Sequence, residues 1–350
     1  MHPLTDRRRE LGLTQSELAR ASGLTRPLIS AVETDRHTPS VKAAIAMARA
    51  LGTSVEQLFG SMPALEEHNA ILGKERRSGT GVVAVNVGQS LSYQPLAEGG
   101  AAGIAWDRAD GIFRDGRVEL FEDADPSGFV VAGCDPALGL AASLLPRRGP
   151  QRLLAVPSST AAAIEALEEG RVHAAAVHGP GNGKKGEIHV PETYSRPTIR
   201  PVRRFVVARW QVGIATRAGT KKAIELLANG KLKVAGREVG AEAQRALERR
   251  LLAAGGVILR QGPIASGHLD AARHVAYGSA DVAATMEAAA IAYGLDFSPL
   301  EDHTVELRLA EEWESHPGAK AFLELLNSRA LISRLEALGG YDLRRAGDAA

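Results

Sequence analysis

Residues 4–59 carry their apolar positions in short helical runs separated by tight polar joints. Leu4, Leu11 and Leu13 flank the charged turn Arg7-Arg8-Arg9-Glu10. TQSELARAS opens on Thr14, an N-cap residue with Glu17 placed to complete a capping box, and Gly23 closes the run. Thr25 caps TRPLISAVETD, where Pro27 is tolerated because the first helical turn needs no donor there. Ser40 caps SVKAAIAMARALG, Gly52 ends it, and a short SVEQLF helix follows. Ser61 to Thr80 is charged and mixed, and reads as a linker.

From Gly81 the period changes to two, in GVVAVNV, QSLSYQPL and RVELFED, which predicts a small β-rich section over 81–127. From Gly128 strands and helices alternate. FVVAGC precedes PALGLAASLL, and RLLAVP precedes STAAAIEALEEG. VHAAAVHG leads into a polar loop, GPGNGKKGE, and then RRFVVA and VGIAT. LKVAG precedes AEAQRALERRLLAAGG, and HLDAARHVAYG precedes ADVAAT. Helices over Ala319–Leu326 and Ser328–Leu338 complete the pattern. Such alternation predicts α/β layers on a mostly parallel sheet.

Composition sharpens this in three places. The 350 residues allow two or three domains, at about 150 residues each. Aromatics make up only 4%, so the cores are built from Ala, Leu, Val and Ile. A net charge of +1 excludes a polycation, so any nucleic-acid surface is local. The single cysteine, Cys134, rules out an internal disulfide framework and a cysteine-based zinc site, and fits a reducing cytoplasm. There is no apolar run of about 18 residues, and MHPLTDRRRELGL lacks the apolar core of a signal peptide. A cytoplasmic protein without a membrane partner is expected.

Two short helices joined by ASGLT form a helix-turn-helix signature. TQSELARASGLTRPLISAVETDRHTPSVKAAIAMARALGTSVEQLF resembles the DNA-binding domain of the phage-repressor/Cro (XRE) family, with Gln15, Ala19, Gly23, Leu24, Ile29, Glu33, Pro39 and Leu51 in family positions. That family docks its third helix in the major groove of double-stranded DNA. The resemblance implies that Thr25, Arg26, Pro27 and Ser30 face the bases, with Arg26 a candidate partner for guanine. Gln15, Arg36, Thr38 and Lys42 would hold phosphates and fix register. Pro27 departs from the polar residue usual at its place, which implies fewer base contacts.

In the α/β part, chemistry is sought in loops at the strand ends. Cys134-Asp135-Pro136, Ser158-Ser159-Thr160, His178-Gly179, Gly236 to Ala241, and Ser266-Gly267-His268 all fall there. Asp135 is placed to cap its own helix, and its charge would repel an anion. Neutral hydroxyls at Ser158-Ser159-Thr160, and Arg237 with Gly240, suit an anion better. The Gly181–Gly186 loop lacks the spacing of a phosphate-binding loop.

VAGCDPALGLAASLL, EALEEGRVHAAAVHG, REVGAEAQRALERRLLAAGG, GHLDAARHVAYGSADVAAT, YGLDFSPL and LGGYDLRRAG are similar to the periplasmic-binding-protein-like domain fused to helix-turn-helix regulators. That domain is related to molybdate-binding and other type II solute-binding proteins. The resemblance implies a multidomain chain: an all-α helix-turn-helix head (1–60), the linker (61–80), the β-rich connecting section (81–127) and a two-lobed α/β domain (128–347). One lobe would take about 128–205 and 291–345, and the other about 206–290. Strands near Phe205–Ala208 and Val212–Thr216 would be the crossovers. The cleft would be lined by Asp135, Ser158, Ser159, Thr160, His178, Arg237, Gly240, Ala241, His268 and Met286. Gln211 stands where the family suggests an acidic residue.

The expected function is a non-enzymatic, ligand-responsive transcription regulator, acting as a homodimer on a DNA operator. No cofactor is expected; the effector is an oxyanion or a small metabolite of unknown identity. Two alternatives stay open. One is a cysteine-dependent enzyme with a DNA-binding head, using Cys134 with His178 or His268 as base, although Asp135 beside the thiol opposes its ionisation. The other is an antitoxin-like DNA-binding protein whose C-terminal domain binds a protein.

Overall fold

The structure, a computed structural model, describes residues 3–34, 36–53, 55–59, 67–73, 78–96, 109–180, 200–256 and 260–350. It divides into two compact units, Met1–Glu66 and Glu67–Ala350.

In the first unit α1 (Pro3–Glu10), α2 (Gln15–Ser22), α3 (Arg26–Glu33), α4 (Val41–Ala50) and α5 (Val55–Phe59) enclose Leu4, Leu18, Ile29, Val32, Met47, Leu51 and Leu58. The caps follow the sequence signals. Thr14 Oγ1 accepts from Glu17 N at 3.2 Å, and Glu17 Oε2 accepts from Thr14 N at 2.7 Å. Thr25 and Ser40 accept from the Leu28 and Ala43 amides. Gly23 adopts φ 67°, the left-handed conformation that closes a helix without steric cost. Arg8 donates through Nε and Nη2 to both oxygens of Glu33, at 2.5 and 3.0 Å, and Gln15 Nε2 donates to Glu33 Oε2 at 2.8 Å. This network ties α1 and the start of α2 to the end of α3.

The second unit opens with β1 (Glu67–Ala70), β2 (Thr80–Val87), β3 (Ser90–Pro95), β4 (Gly111–Arg114) and β5 (Arg117–Leu120). Among the described residues they form one sheet, ordered β1-β3-β2-β4-β5. β1 falls inside the stretch read as a linker. Val83, Val85 and Val87 alternate onto one face and pack with Ile71 and Leu96 against Val130, Ala132, Leu154 and Val156. Arg152 fastens the same seam, reaching Asp110 with Nη1 and Nη2 at 2.9 and 2.8 Å, while Asp110 Oδ2 also accepts from Ala84 N. The β-rich section is thus a cover on the α/β sheet behind it.

That larger sheet contains β6 (Phe129–Gly133), β7 (Leu153–Pro157), β8 (Ala174–Pro180), β9 (Val202–Thr216), β10 (Val234–Arg237), β11 (Gln261–Ala265), β12 (Val282–Met286) and β13 (Asp296–Ala310). Among the described residues its order is β11-β10-β12-β9-β13-β8-β6-β7. Helices α6 (Ala137–Leu144), α7 (Thr160–Glu168), α8 (Ala223–Ala228), α9 (Glu242–Ala253), α10 (His268–Ala276), α11 (Glu287–Ala292), α12 (Pro317–Leu326) and α13 (Arg329–Leu338) accompany it. β6, β7 and β8 run parallel on one side, and β10, β11 and β12 on the other. Between them β9 and β13 pair antiparallel along their whole length, from Asp296↔Thr216 to Ala310↔Val202.

The crossover expectation needs correction here. The segments at 205–208 and 212–216 are one continuous strand, β9, and the second crossing is β13, not among the expected crossovers although Val305, Leu307 and Leu309 alternate with Glu306 and Arg308. Pro299 interrupts the donors of DFSPLEDHTVELRLA, and a register shift between Pro299 and Glu301 absorbs it.

Candidate functional site

Register decides where the loops go. β8 meets β13 with its last residue, Pro180, opposite His303, and β12 meets β9 with its last residue, Met286, opposite Val212. Both parallel groups therefore point their C-terminal ends at the middle of the β9–β13 pair, where Trp210 lies opposite His303. Ligands of open α/β sheets bind at such ends.

One side brings Cys134 and Asp135 after β6, Ser159 after β7, and His178 in β8. The other brings Arg237 at the end of β10, His268 at the start of α10, and Thr285 in β12. Cys134, Asp135, His178, Arg237, His268, Thr285, His303 and Trp210 are all buried. Across the two sides Cys134 Sγ lies 3.6 Å from His268 Nε2. The Trp210 ring centroid is 4.6 Å from that of His178 and 5.2 Å from that of His268.

Each polar group is held in place. Asp135 Oδ1 accepts from Ala137 N at 2.9 Å and Tyr341 OH at 2.8 Å, and Oδ2 accepts from Trp210 Nε1 at 3.0 Å. Arg237 makes a forked pair with Glu238 at 3.1 and 3.2 Å, and its Nη1 donates to Ala284 O at 3.3 Å. Thr285 Oγ1 donates to His268 O at 2.9 Å and lies 3.4 Å from His268 Nδ1. His178 Nδ1 meets His303 Nδ1 at 2.8 Å, and His303 Nε2 meets Glu301 Oε2 at 3.1 Å. A carboxylate only accepts, so with both rings neutral His303 carries its proton on Nε2. His178 then donates from Nδ1, and its Nε2 keeps a bare lone pair.

Burial dominates the ionisation of the cluster. It pushes the Cys134 thiol up, against the pull of Arg237. It raises Asp135, partly offset by the hydrogen bonds from Ala137, Trp210 and Tyr341. It holds His178 well below the usual imidazole range, helped by neighbouring His303, His268 and Arg237, and His268 likewise, helped by Arg237 and His303. Cys134 is therefore a protonated thiol among neutral imidazoles, the reverse of an activated nucleophile.

The structure brings Asp135, His178, Arg237 and His268 into this cluster. The two places favoured for an anion face each other at its edge: a β-carbon on Gly240 would lie 3.3 Å from Ser159 Oγ. The hydroxyls there are mostly engaged. Ser159 Oγ caps α7 by accepting from Ala162 N, and Thr160 Oγ1 accepts from His178 N at 3.5 Å. Ser158 Oγ is enclosed without a hydrogen-bond partner. Ala241 is the N-cap of α9 and offers no polar side chain, and Met286 is wholly buried in the apolar core. Gln211 pairs with Asp302. The Gly181–Gly186 loop lies outside the described residues.

Glu238, from the Gly236–Ala241 loop, joins the cluster, and Trp210, Thr285, Glu301, His303 and Tyr341 complete it unforeseen. Only the pairing of β9 with β13 and of β12 with β9 places most of them, and pairing leaves no local signal. Beside the cluster, Cys134, Asp135, Pro136, Ser266, Gly267 and His268 border a cavity of about 390 Å³. Sγ of Cys134 and a ring nitrogen from each of His178 and His268 lie within 4.8 Å of one another, a spacing that a metal ion can bridge. A count of cysteines alone overlooks such a mixed donor set.

In the first unit, Thr25, Arg26 and Pro27 are exposed at the start of α3, with Ser30 half-buried one turn on. Arg36, Thr38 and Lys42 are exposed, whereas Gln15 is half-buried and spends its amide on Glu33.

A helix-turn-helix head and a sheet whose loops converge on a polar cleft define a DNA-binding protein with a ligand-binding domain. Residues 142–327 match the PBP superfamily domain and residues 4–58 a helix-turn-helix domain, so the chain belongs to the PBP superfamily and carries an XRE-type head. It is similar to an HTH-type transcriptional regulator of Methanothermobacter thermautotrophicus, 47% identical over 57 residues, spanning 16% of this chain and 83% of that one. A protein in the 5′ region of a 2Fe-2S ferredoxin gene of Clostridium pasteurianum is 37% identical over 81 residues, spanning 23% and 72%. Among solved structures, the regulatory domain of HypT from Salmonella typhimurium is 13% identical, with a TM-score of 0.41 over 59% of this chain and 95% of that one. No helix among the described residues is long and apolar enough to cross a membrane.

Proposed function

We propose that the chain is a ligand-responsive, sequence-specific transcription regulator, working as a homodimer on a two-fold DNA operator. The observation that carries this reading is the cleft itself. Side chains from both parallel groups of strands meet in one buried polar cluster, so an occupant binds the closed arrangement differently from an open one. Differential affinity of that kind is the only way a ligand shifts a conformational equilibrium. The polar lining favours a small ligand over a docked protein chain, and the raised thiol weighs against cysteine catalysis.

The test begins with an operator selected from a random DNA library by the full chain. Operator affinity is then measured by fluorescence anisotropy, with and without each ligand that raises the melting temperature of the second unit. A hit that changes operator affinity at least about tenfold, roughly 1.4 kcal/mol, supports the reading. Ligands that stabilise the protein yet leave operator affinity unchanged would sink it.

A further inference from the structure

We propose that the cleft binds one thiophilic d¹⁰ metal cation, monovalent copper or zinc, through Cys134 Sγ, His178 Nε2 and a ring nitrogen of His268. The inference rests on the regulator reading for its biological meaning, but not for the site.

Three observations carry it. First, the spacing fits. The Cys134 Sγ to His268 Nε2 distance is 3.6 Å. A metal–sulfur bond of about 2.3 Å and a metal–nitrogen bond of about 2.05 Å at a tetrahedral angle place the two donors about 3.6 Å apart. The three donors lie within 4.8 Å of one another, close enough for a single ion.

Second, both imidazoles are backed as metal ligands are. A ligating histidine gives its other ring proton to an oriented acceptor, which fixes the tautomer. For His178 the acceptor is His303, steadied in turn by Glu301. For His268 it is Thr285 Oγ1, whose own proton goes to the His268 carbonyl, so that the hydroxyl is free to accept from Nδ1. With His178 and His303 both neutral, their hydrogen bond leaves the other His178 nitrogen with a lone pair. At His268 a metal on Nε2 requires the proton on Nδ1, where Thr285 Oγ1 accepts it and Arg237 Nη1, 3.5 Å away, competes as a donor.

Third, the donor set selects the ion. One sulfur with two nitrogens suits soft and borderline d¹⁰ cations, and excludes magnesium and calcium, which take oxygen. Arg237 Nη1 lies 3.5 Å from His268 Nδ1, so extra positive charge here is costly. On binding, the thiol proton leaves as the metal–sulfur bond forms. Monovalent copper on the resulting thiolate is neutral and the better match; zinc leaves one net positive charge.

Cys134 and His178 come from one parallel group and His268 from the other. The ion therefore holds the two sides together, and only the closed arrangement presents all three donors. Cys134 and His268 also border the adjoining cavity, which gives the ion a route in.

The experiment uses the full chain, stripped of metal under anaerobic conditions. Zinc and monovalent copper are titrated separately in competition with chromogenic chelators. Cobalt(II) is added as a spectroscopic probe. Because Cys134 is the chain's sole cysteine, a sulfur-to-cobalt charge-transfer band in the unmodified chain reports this thiolate without any variant. The expected result is one equivalent of zinc or copper, that band, and protection of the thiol from alkylation. Cys134→Ser and His268→Ala should each weaken binding more than about 100-fold, beyond the 10–100-fold typical of losing an outer partner.

No stoichiometric binding of either metal, or binding without the charge-transfer band and without protection, overturns the site even if a variant fails to fold. Cleft occupancy by an oxyanion alone, with the thiol still reactive, also overturns it. If metal binds as described but operator affinity does not change, the site stands and the regulator reading falls. If another ligand changes operator affinity and neither metal binds, the reverse holds.

Discussion

Gly240 and Ala161 approach from opposite sides of the cleft so closely that a β-carbon on Gly240 would lie 2.4 Å from Ala161 Cβ. Gly240 also sits at φ +81°, a conformation that other residues adopt only with strain. Contact and conformation together make this glycine the point where the two sides touch beside the buried cluster. Gly240→Val should prop that edge open and strain the turn, lowering the stability of the second unit by about 1–3 kcal/mol. Thermal melting followed by tryptophan fluorescence measures the loss. Small-angle scattering should show an enlarged second unit. An unchanged melting temperature and radius would show that closure does not depend on this contact.

Asp135 tests the wall of the site without touching a proposed donor. Its two oxygens accept from Ala137 N and Trp210 Nε1, both buried, and from Tyr341 OH, which is part-buried. Asp135→Ala leaves Trp210 and Tyr341 without an acceptor, and each stranded donor costs about 1–3 kcal/mol. A loss of about 2–6 kcal/mol is expected for the pair. Asp135→Asn keeps one acceptor oxygen and should recover part of the loss. Equal destabilisation by Ala and Asn would mean that charge, and not hydrogen bonding, holds this corner.

Those particular partners show where sequence reading reached and where it stopped. The helical head was legible because Thr14, Gly23, Thr25 and Ser40 state its caps locally. The loops carrying Cys134, Ser159, Arg237 and His268 were legible because each ends a strand and starts a helix. Trp210, Glu301 and His303 were not, because a period-two strand gives no sign of the strand beside it. β13 was hidden further by Pro299, whose missing donor is tolerated only where the register shifts. His178 gained its meaning from His303, which lies 125 positions along the chain. Non-local pairing made the cluster, and local pattern carries no record of it.

The head contains a pH-sensitive contact. Burial opposes ionisation of Glu33, but hydrogen bonds from Arg8 and Gln15 prevail and hold its carboxyl below the usual range. In the unfolded chain the same carboxyl titrates near about 4.3. The stabilisation is therefore complete above that value and is lost as the pH falls through the lower, folded one. Hydrogen-exchange protection of the α1–α3 amides, taken relative to the intrinsic exchange rate at each pH, should fall on acidification below about pH 4.3. Glu33→Gln should be less protected at neutral pH, by about 1–3 kcal/mol, and flatter across that window. A variant whose profile tracks the parent would remove Glu33 as the titrating group.

The last prediction separates reading from holding on DNA. Arg26 is exposed at the start of α3, beside the cap Thr25, where a recognition helix meets base edges. A bidentate arginine–guanine pair is worth about 1–3 kcal/mol of discrimination. Arg26→Ala should therefore lose about 5- to 150-fold in operator affinity, and should relax preference at one base position while sparing the rest. Arg36 and Lys42 are exposed beyond the recognition helix and suit phosphates. Their alanine variants should weaken binding to all sequences alike, and should reduce the salt dependence of log affinity by about one unit each. Binding-site selection at several salt concentrations reads both effects. If Arg26→Ala lowers the salt slope and leaves base preference intact, Arg26 is a phosphate contact and the bases are read by other residues of α3.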